Sequence, residues 1–277
     1  MIFLFLACQT ASESVSIQRC NGYESLCNRR LNEIAVPATH NSMSSEQNEW
    51  IAPNHLYNIS QQLQDGIRGL NLDTYLWEEE AYLCHGFCEL GAQPLVEGLQ
   101  EIKYFLEAHP SEVVIITFQS ALSSEHTFAA FQQSELLSQL YEHELGDPWP
   151  TLQELIDSKK QLVVFSNNGG GEFSGYHEQW VHWVDNPYSA AEISDFACEI
   201  DRGNPETATL YNVNHFLTAP IGLPQLAEEG NINPVLKDHV FDCWETTGRF
   251  PNQVLVDFYS IGDLFSVVEE LNTHFSQ

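Results

Sequence analysis

Positive charge is what this chain has least of: 10 Lys and Arg stand against 39 Asp and Glu in 277 residues, a formal net charge of −29. That scarcity excludes a nucleic-acid partner, because a phosphate backbone is held by clustered cations and none cluster here. It also excludes a basic patch for docking on anionic membranes. A surface suited to a salty or calcium-rich medium accounts for the excess acid. Long apolar runs are missing too. The start, Met1-Ile2-Phe3-Leu4-Phe5-Leu6-Ala7-Cys8, is too short to span a bilayer and has no basic residues, so it reads as the tail of a signal peptide. Leu6-Ala7-Cys8 fits a lipoprotein cleavage box loosely. Plain secretion and a lipid anchor through Cys8 both stay open, and both imply the medium, the cell surface or the periplasm. Paired Cys-x-x-Cys motifs are absent, which favours disulfides over a zinc cluster. With Cys8 set aside, six cysteines allow fifteen pairings. Local spacing favours Cys20–Cys27 and Cys84–Cys88, leaving Cys198–Cys243 as a long-range staple.

Neither a repeat nor a low-complexity tract is present, and only a polar, Ser-rich stretch over 9–19 looks like flexible leader. Residues 1–19 therefore read as a leader and 20–277 as one domain, with 43% hydrophobic residues for its core. Leu95, Leu99, Ile102 and Leu106 recur at spacings of four, three and four, which predicts an amphipathic helix over 94–109. Val113–Phe118 and Leu162–Phe165 are continuous apolar runs, suiting strands covered on both faces. Further helices are expected around 60–64, over 124–145, over 151–160 behind a Thr151-x-x-Glu154 capping box, and over 234–247 and 262–272. Strands are expected near 208–213 and 254–256, while 172–205 is aromatic, irregular and unassigned. Strands and helices alternate without a break, which predicts an α/β fold with a single β/α barrel.

Three apolar runs end in chemically capable residues. Ile34-Ala35-Val36 leads to His40 and Asn41, Leu70-Asn71-Leu72 to Asp73, and Tyr82-Leu83-Cys84 to His85. Gln119, Asn167 and Asp257 likewise follow expected strands. In a parallel barrel the strand C-termini share one face, so these residues should converge. A His pair moves a proton in two directions, one ring taking it from an attacking hydroxyl and the other giving one to a leaving oxygen. His109, His126 and His143 fall on expected helices and lack such company. Asp73 with Asn41, Asn71 and Gln119 offers oxygen ligands for Ca2+, although one charge among four makes a weak site, and ordinary rim hydrogen bonding is the alternative. Asp257, on the last strand, would lie beside the first and orient His40. Arg68 offers a bidentate phosphate donor, with an ion pair at the barrel base as the competing role. His215 follows a strand and reaches towards substrate. Gly169–Gly171 lacks the Lys and helix start of a phosphate loop and reads as a flexible loop.

Thr39-His40-Asn41-Ser42, Gly66-Ile67-Arg68-Gly69-Leu70-Asn71-Leu72-Asp73, Leu83-Cys84-His85-Gly86 and His109-Pro110-Ser111-Glu112-Val113-Val114 resemble the X region of phosphatidylinositol-specific phospholipase C. Cys20-Asn21-Gly22, Asn214-His215, Val256-Asp257-Phe258-Tyr259 and Gly262-Asp263-Leu264 are similar to its secreted, cysteine-containing members, so the likeness covers about residues 20–273. The resemblance implies a distorted TIM barrel and a two-histidine phosphodiesterase. In it His40, His85 and Asp257 are catalytic, and an inositol 2-hydroxyl attacks phosphorus and expels diacylglycerol. It implies Ca2+ ligands at Asn41, Asp73 and Gln119, with Asn71 a further one in some members. Arg68, Asn167, His215 and Tyr259 are the candidate substrate contacts. The family commonly has Glu at the position of Gln119, and animal members have Glu at that of Asn71, so the implied calcium site is weak. The expected partner is a phospholipid at a membrane surface, met by a monomer with no obligate protein partner. Two other readings stay open: the same barrel acting on glycerophosphodiesters or phosphosphingolipids, and a non-catalytic barrel that binds a phosphorylated polyol.

Overall fold

Side-chain alternation along the strands decides the layout of the molecule. The computed structural model describes residues 18–274, so the apolar start, Cys8 and the Ser-rich stretch to Ser16 lie outside the described residues. In chain order the first elements are β1 (Val36–Thr39), α1 (Ile59–Asp65), β2 (Gly69–Trp77), β3 (Glu80–Cys84), β4 (Ala92–Pro94), α2 (Leu95–Ala108), β5 (Val114–Ser120) and α3 (Ser124–Gln133). Then come α4 (Leu152–Asp157), β6 (Leu162–Ser166), β7 (Tyr176–Glu178), α5 (Gln179–His182), β8 (Trp183–Asp185) and β9 (Arg202–Gly203). β10 (Leu210–Asn214), α6 (Pro224–Gly230), α7 (Val235–Thr247), β11 (Gln253–Val256) and α8 (Leu264–His274) complete the fold.

Among the described residues eight strands run parallel in the order β7-β6-β5-β2-β1-β11-β10-β8, and they curl into a distorted TIM barrel. No ladder joins β7 to β8 among these residues, so the barrel is open along a seam that the four-residue α5 spans. β3 pairs antiparallel with the upper half of β2 and carries β4.

Along β5, Val114, Ile116 and Phe118 belong to the large core that includes the α2 residues Leu95, Leu99 and Ile102. Ile115 joins Val36, Val163, Phe165, Trp183 and Leu210 in a second core. The period of two thus sends one row outward to the helices and the next inward. On β2 the same rule turns Leu70 and Leu72 out and Gly69, Asn71 and Asp73 in. The interior is therefore apolar low down and polar at the top of β2 and β5. Gly69 is required there, because a Cβ would stand 2.6 Å from that of Ala38.

Helix α2 forms where the spacing predicts it and buries Leu95, Leu99, Ile102 and Leu106, each worth about 1.5–3 kcal/mol. The capping box of Thr151 and Glu154 opens α4. The long helix expected over 124–145 ends at Gln133 instead: Glu135 takes a left-handed φ of 60° and Leu140 bridges to Leu162. His143 consequently sits off any helix. The three disulfides are Cys20–Cys27, Cys84–Cys88 and Cys198–Cys243. The last closes a separation of 45 residues, a constraint on the unfolded chain on the order of 4 kcal/mol. No helix of the described residues is long and apolar enough to cross a membrane.

Burial has one consequence for acid stability. His143, His177 and His182 pack together by the seam, and His55, His215 and His239 are also buried. Desolvation lowers all six, to about 4 for His55, His143, His182 and His239, about 3 for His215, and downward for His177. The fold holds these rings neutral, whereas the unfolded chain protonates them near pH 6.5. Stability is thus complete above that pH and lost as the pH falls towards 4. Burial raises Asp73 to about 7 and also raises Asp185, which works in the opposite sense but involves two groups against six. The urea midpoint should fall between pH 7 and pH 5.5, and His182→Gln should flatten that slope. A midpoint that holds or rises over this range would contradict the burial of these rings.

Candidate active site

Barrel closure creates the first half of the site. β1 and β11 pair with Thr39 opposite Val256, so His40 and Asp257 emerge side by side. His40 Nδ1 lies 3.0 Å from Asp257 Oδ1. An Nδ1–H donated to the carboxylate leaves Nε2 for the cleft. The ring is stacked on Phe216, with centroids 3.9 Å apart and planes within 8°.

Asp257 is buried and firmly held. Asn54 Nδ2 donates to both its oxygens at 3.1 Å, and Asn231 Nδ2 donates to its carbonyl oxygen at 2.8 Å. His55 donates from Nε2 to the carbonyl of His40 at 2.6 Å. The backbone turns left-handed right after each member of the pair, at Asn41 (φ 49°) and Phe258 (φ 46°). Strain of this kind, about 1–3 kcal/mol per residue, persists where surrounding contacts over-determine it.

His85 arrives by a different route from the one expected. Tyr82-Leu83-Cys84 is part of the antiparallel β3, not of a barrel strand, and the hairpin folds back from β2 to set His85 at the rim. The Cys84–Cys88 disulfide brackets it. The two imidazoles face each other with centroids 6.5 Å apart and planes at 78°. Asn41 Nδ2 lies 3.3 Å from His85 Nε2 and 3.4 Å from Asn54 Oδ1. Polar contacts therefore run unbroken from His40 through Asp257, Asn54 and Asn41 to His85. Partial burial lowers the His85 pKa first, the nearby His40 lowers it further, and Asp257 opposes both.

Both rings line an open cleft of about 580 Å³ with Asn41, Asp73 and Gln119. Asp73 is buried with Oδ1 lacking a hydrogen-bond partner among the described residues. Gln119 stands opposite Asp73 in register and is exposed. The Asn71 oxygen accepts the Asn41 N–H at 3.4 Å, and its Nδ2 donates to the Thr117 carbonyl at 3.3 Å, so this amide is already engaged. An unpartnered carboxylate oxygen beside the free amide oxygens of Asn41 and Gln119 fits a hard cation. With one charge, the set suits weak binding.

A narrower, polar recess opens from the cleft past His40, Gln119, Tyr188 and Phe216. Its wall holds Asp185, whose carboxylate takes the Arg202 Nε–H at 3.1 and 3.2 Å and also pairs with Arg202 Nη2. The guanidinium lies over the rings of Tyr188 and Trp180, 4.2 and 4.8 Å from their centres. Around the open cleft the rim is apolar, with Phe87 72% and Ile51 63% exposed.

The remaining sequence candidates divide. Asn167 lines the recess, and its Oδ1 accepts the Ser120 N–H at 2.8 Å. Arg68 does not reach the cleft: it pairs with Glu112 at 2.7 Å at the start of β2, the base of the barrel. His215 is buried between His239, at 2.8 Å, and the Gly230 carbonyl. Tyr259 turns away from the cleft to bond Asp65 at 2.7 Å. The sequence reading passed over Asn54, Phe216, Asp185, Tyr188 and Arg202. Asn54 and Phe216 lie outside any regular element and carried no signal. Arg202 did carry one, as the sole Lys or Arg in the aromatic 172–205 stretch.

A family model described as PI-PLC X 1 matches residues 26–272. The "PI-PLC X domain-containing protein 1" of Arthroderma benhamiae is 30% identical over 278 residues, covering 91% of this chain and 89% of that protein. An "Uncharacterized secreted protein" of the same fungus is 30% identical over 283 residues, and there the match spans 64% of the relative's length. Among solved structures, the phosphatidylinositol-specific phospholipase C of Listeria monocytogenes superposes with a TM-score of 0.60 at 18% identity, covering 89% of this chain and 94% of that one. At that identity the likeness establishes the fold.

The facing rings make a direct prediction. Followed by NMR, His85 should titrate below 6.5, and its midpoint should rise in His40→Ala, which removes a like charge. A midpoint indifferent to His40 would mean that the two rings do not share a site.

Proposed function

We propose that this chain, which belongs to the PI-PLC X family, is a phosphodiesterase that cleaves phosphatidylinositol or a related inositol phospholipid between phosphate and diacylglycerol. The observation that carries this reading is the pair of imidazoles 6.5 Å apart across an open cleft, one of them held by a buried carboxylate. That gap suits a tetrahedral phosphate. His40, oriented by Asp257, takes the proton of the inositol 2-hydroxyl as that oxygen attacks phosphorus. The bond to the diacylglycerol oxygen breaks, and His85 supplies the proton that this oxygen needs. A depressed pKa makes the His85 imidazolium a ready donor. A cyclic inositol phosphate results.

The polar recess supports a polyol head, because its amides and the Asp185–Arg202 pair match ring hydroxyls in donors and acceptors. The exposed Ile51 and Phe87 support docking on a lipid surface by apolar insertion, which a chain of net charge −29 needs in place of cationic attraction. Asp73, Asn41 and Gln119 would hold Ca2+. A bound ion there supplies positive charge against the phosphate oxygens. Three disulfides and a relative called a secreted protein support an exported enzyme.

Incubated with phosphatidylinositol vesicles, the protein should release a water-soluble inositol phosphate. His40→Ala and His85→Ala should each slow that release by roughly 10²–10⁴-fold. An inert wild type at every calcium concentration would overturn the catalytic reading, and choline or ethanolamine phosphates among the products would overturn the substrate. Millimolar-scale calcium should raise turnover, as a weak extracellular-type site predicts. Asp73→Asn should abolish that response, and a wild type indifferent to a chelator would remove the metal from the proposal.

A further inference from the structure

The four residues of α5 are shared between two hollows. Gln179 and Trp180 line the recess, whereas Val181 and His182 line a separate open groove of about 490 Å³. Glu142, Glu144, Glu172 and Glu178 border that groove and are exposed, and no Lys or Arg lines it. Three imidazoles stand in its wall. His143 is 9% exposed, and its Nδ1 has no hydrogen-bond partner among the described residues. His182 is 5% exposed, and no hydrogen bond engages its ring among the described residues. Ring nitrogens buried in this way forgo the hydrogen bonds of water, which costs stability unless a ligand takes the lone pair. His177 differs, because both its nitrogens are engaged. Its Nδ1–H donates to the Val164 carbonyl at 2.9 Å, and its Nε2 accepts the His143 N–H at 3.0 Å.

The ring centres of His143 and His182 are 5.5 Å apart, with planes at 62°. Two imidazoles bound to one tetrahedral ion at about 2.0–2.1 Å have centres about 5 Å apart. Trp149 stacks on the His143 ring at 3.6 Å and meets that of His182 edge-on at 5.8 Å, packing both in place. Imidazole nitrogen with carboxylate oxygen suits Zn2+ and its transition-metal neighbours, whereas Ca2+ takes oxygen ligands. Among the described residues, Cys198, His239 and Cys243 already hold three ligand atoms within 4.8 Å of one another, but the two sulfurs are bonded to each other. In the groove two ligands are preset, and a flexible, exposed carboxylate completes the set when an ion binds.

We propose that His143 and His182, closed by the carboxylate of Glu142, bind a divalent transition-metal ion such as Zn2+, and that this ion staples the open seam of the barrel. Glu142 adjoins His143, and its charge reaches His177. His143 is tied to β7 through His177, and His182 directly precedes β8. An ion between them links two strands that no ladder joins among the described residues. The site is separate from the oxygen ligands of the cleft and does not depend on the phosphodiesterase reading.

The full chain, stripped with a chelator and returned to millimolar-scale Ca2+ to fill any oxygen site, is titrated with Zn2+ by calorimetry and with Co2+ by visible absorption. One equivalent of each should bind, Co2+ with the absorption of a tetrahedral site. His182→Gln and Glu142→Gln should each weaken binding by about 10–100-fold or more, since even partners behind a ligand are worth that much. Replacing the exposed His126 by Gln should change nothing. Glu142 is exposed, so its variant remains a readout if loss of His182 disturbs the core. Zn2+ should also raise the urea midpoint of wild type more than that of Glu142→Gln. The cleft has imidazoles of its own, so the titration is repeated in His85→Ala, which should keep the equivalent. Binding that is lost with His85 would place the ion in the cleft and overturn the site. A wild type that binds neither ion, or groove variants that bind as tightly as wild type, would overturn it equally.

Discussion

Closure of the sheet between its first and last strands is the constraint on which the chemistry depends. Thr39 and Val256 are partners in that ladder, so the next residue on each strand, His40 and Asp257, leaves the wall at one height. Nothing local to either segment would bring them within 3.0 Å, since 217 residues separate them. Once the strands are paired the contact follows, and Asn54, Asn231 and Phe216 then remove the freedom of carboxylate and ring. The price is a left-handed backbone at Asn41 and Phe258, tolerable because buried hydrogen bonds on both sides hold it.

Polarity of the mouth follows from a simple rule applied twice. On β2 and β5 the inward rows change from small or apolar at the base, Gly69 and Ile115, to polar at the top, Asn71 and Asp73 opposite Thr117 and Gln119. The outward rows stay apolar up to Leu72 and Phe118 and bind the helices, ending in the hydrogen-bonded pair Thr74 and Ser120. One strand thereby contributes to a dry core and to a wet site without any break in its hydrogen bonding. The open seam between β7 and β8 extends this logic. The four-residue connection there leaves Trp180 and Gln179 lining the recess, where an ordinary crossover helix would have stood outside the barrel.

Charge sets the character of the surface and of the site together. Several of the few cations stand in ion pairs: Arg68 with Glu112 at the base, Lys103 with Glu135 and Lys237 with Glu270 on the outside, Arg202 with Asp185 in the recess. The cleft rim carries exposed apolar side chains, Phe87 and Ile51, and burial together with the nearby His40 lowers the pKa of His85.

Hydrophobic periodicity and punctuation made much of this protein legible in one dimension. The helix at Leu95–Ala108, the capping box at Thr151, the buried runs of β5 and β6 and the polar residues ending each run are all local properties, set by side chains a few positions apart. Cys20–Cys27 and Cys84–Cys88 could be judged from spacing for the same reason, and Cys198–Cys243 was the pair they left. Contacts across long separations were beyond that reach. Arg68 is basic in any reading, but only the position of Glu112 sends it to the base of the barrel; His215 follows a strand, but only the packing of α7 buries it against His239. Asn54 and Phe216 had no local mark of function, because their roles come from neighbours up to 203 residues away. Sequence by itself determined which residues were chemically able and which segments were stiff. Tertiary structure decided which of the able residues met, because strand register and barrel closure are set by the burial of the whole core and not by any one segment of it.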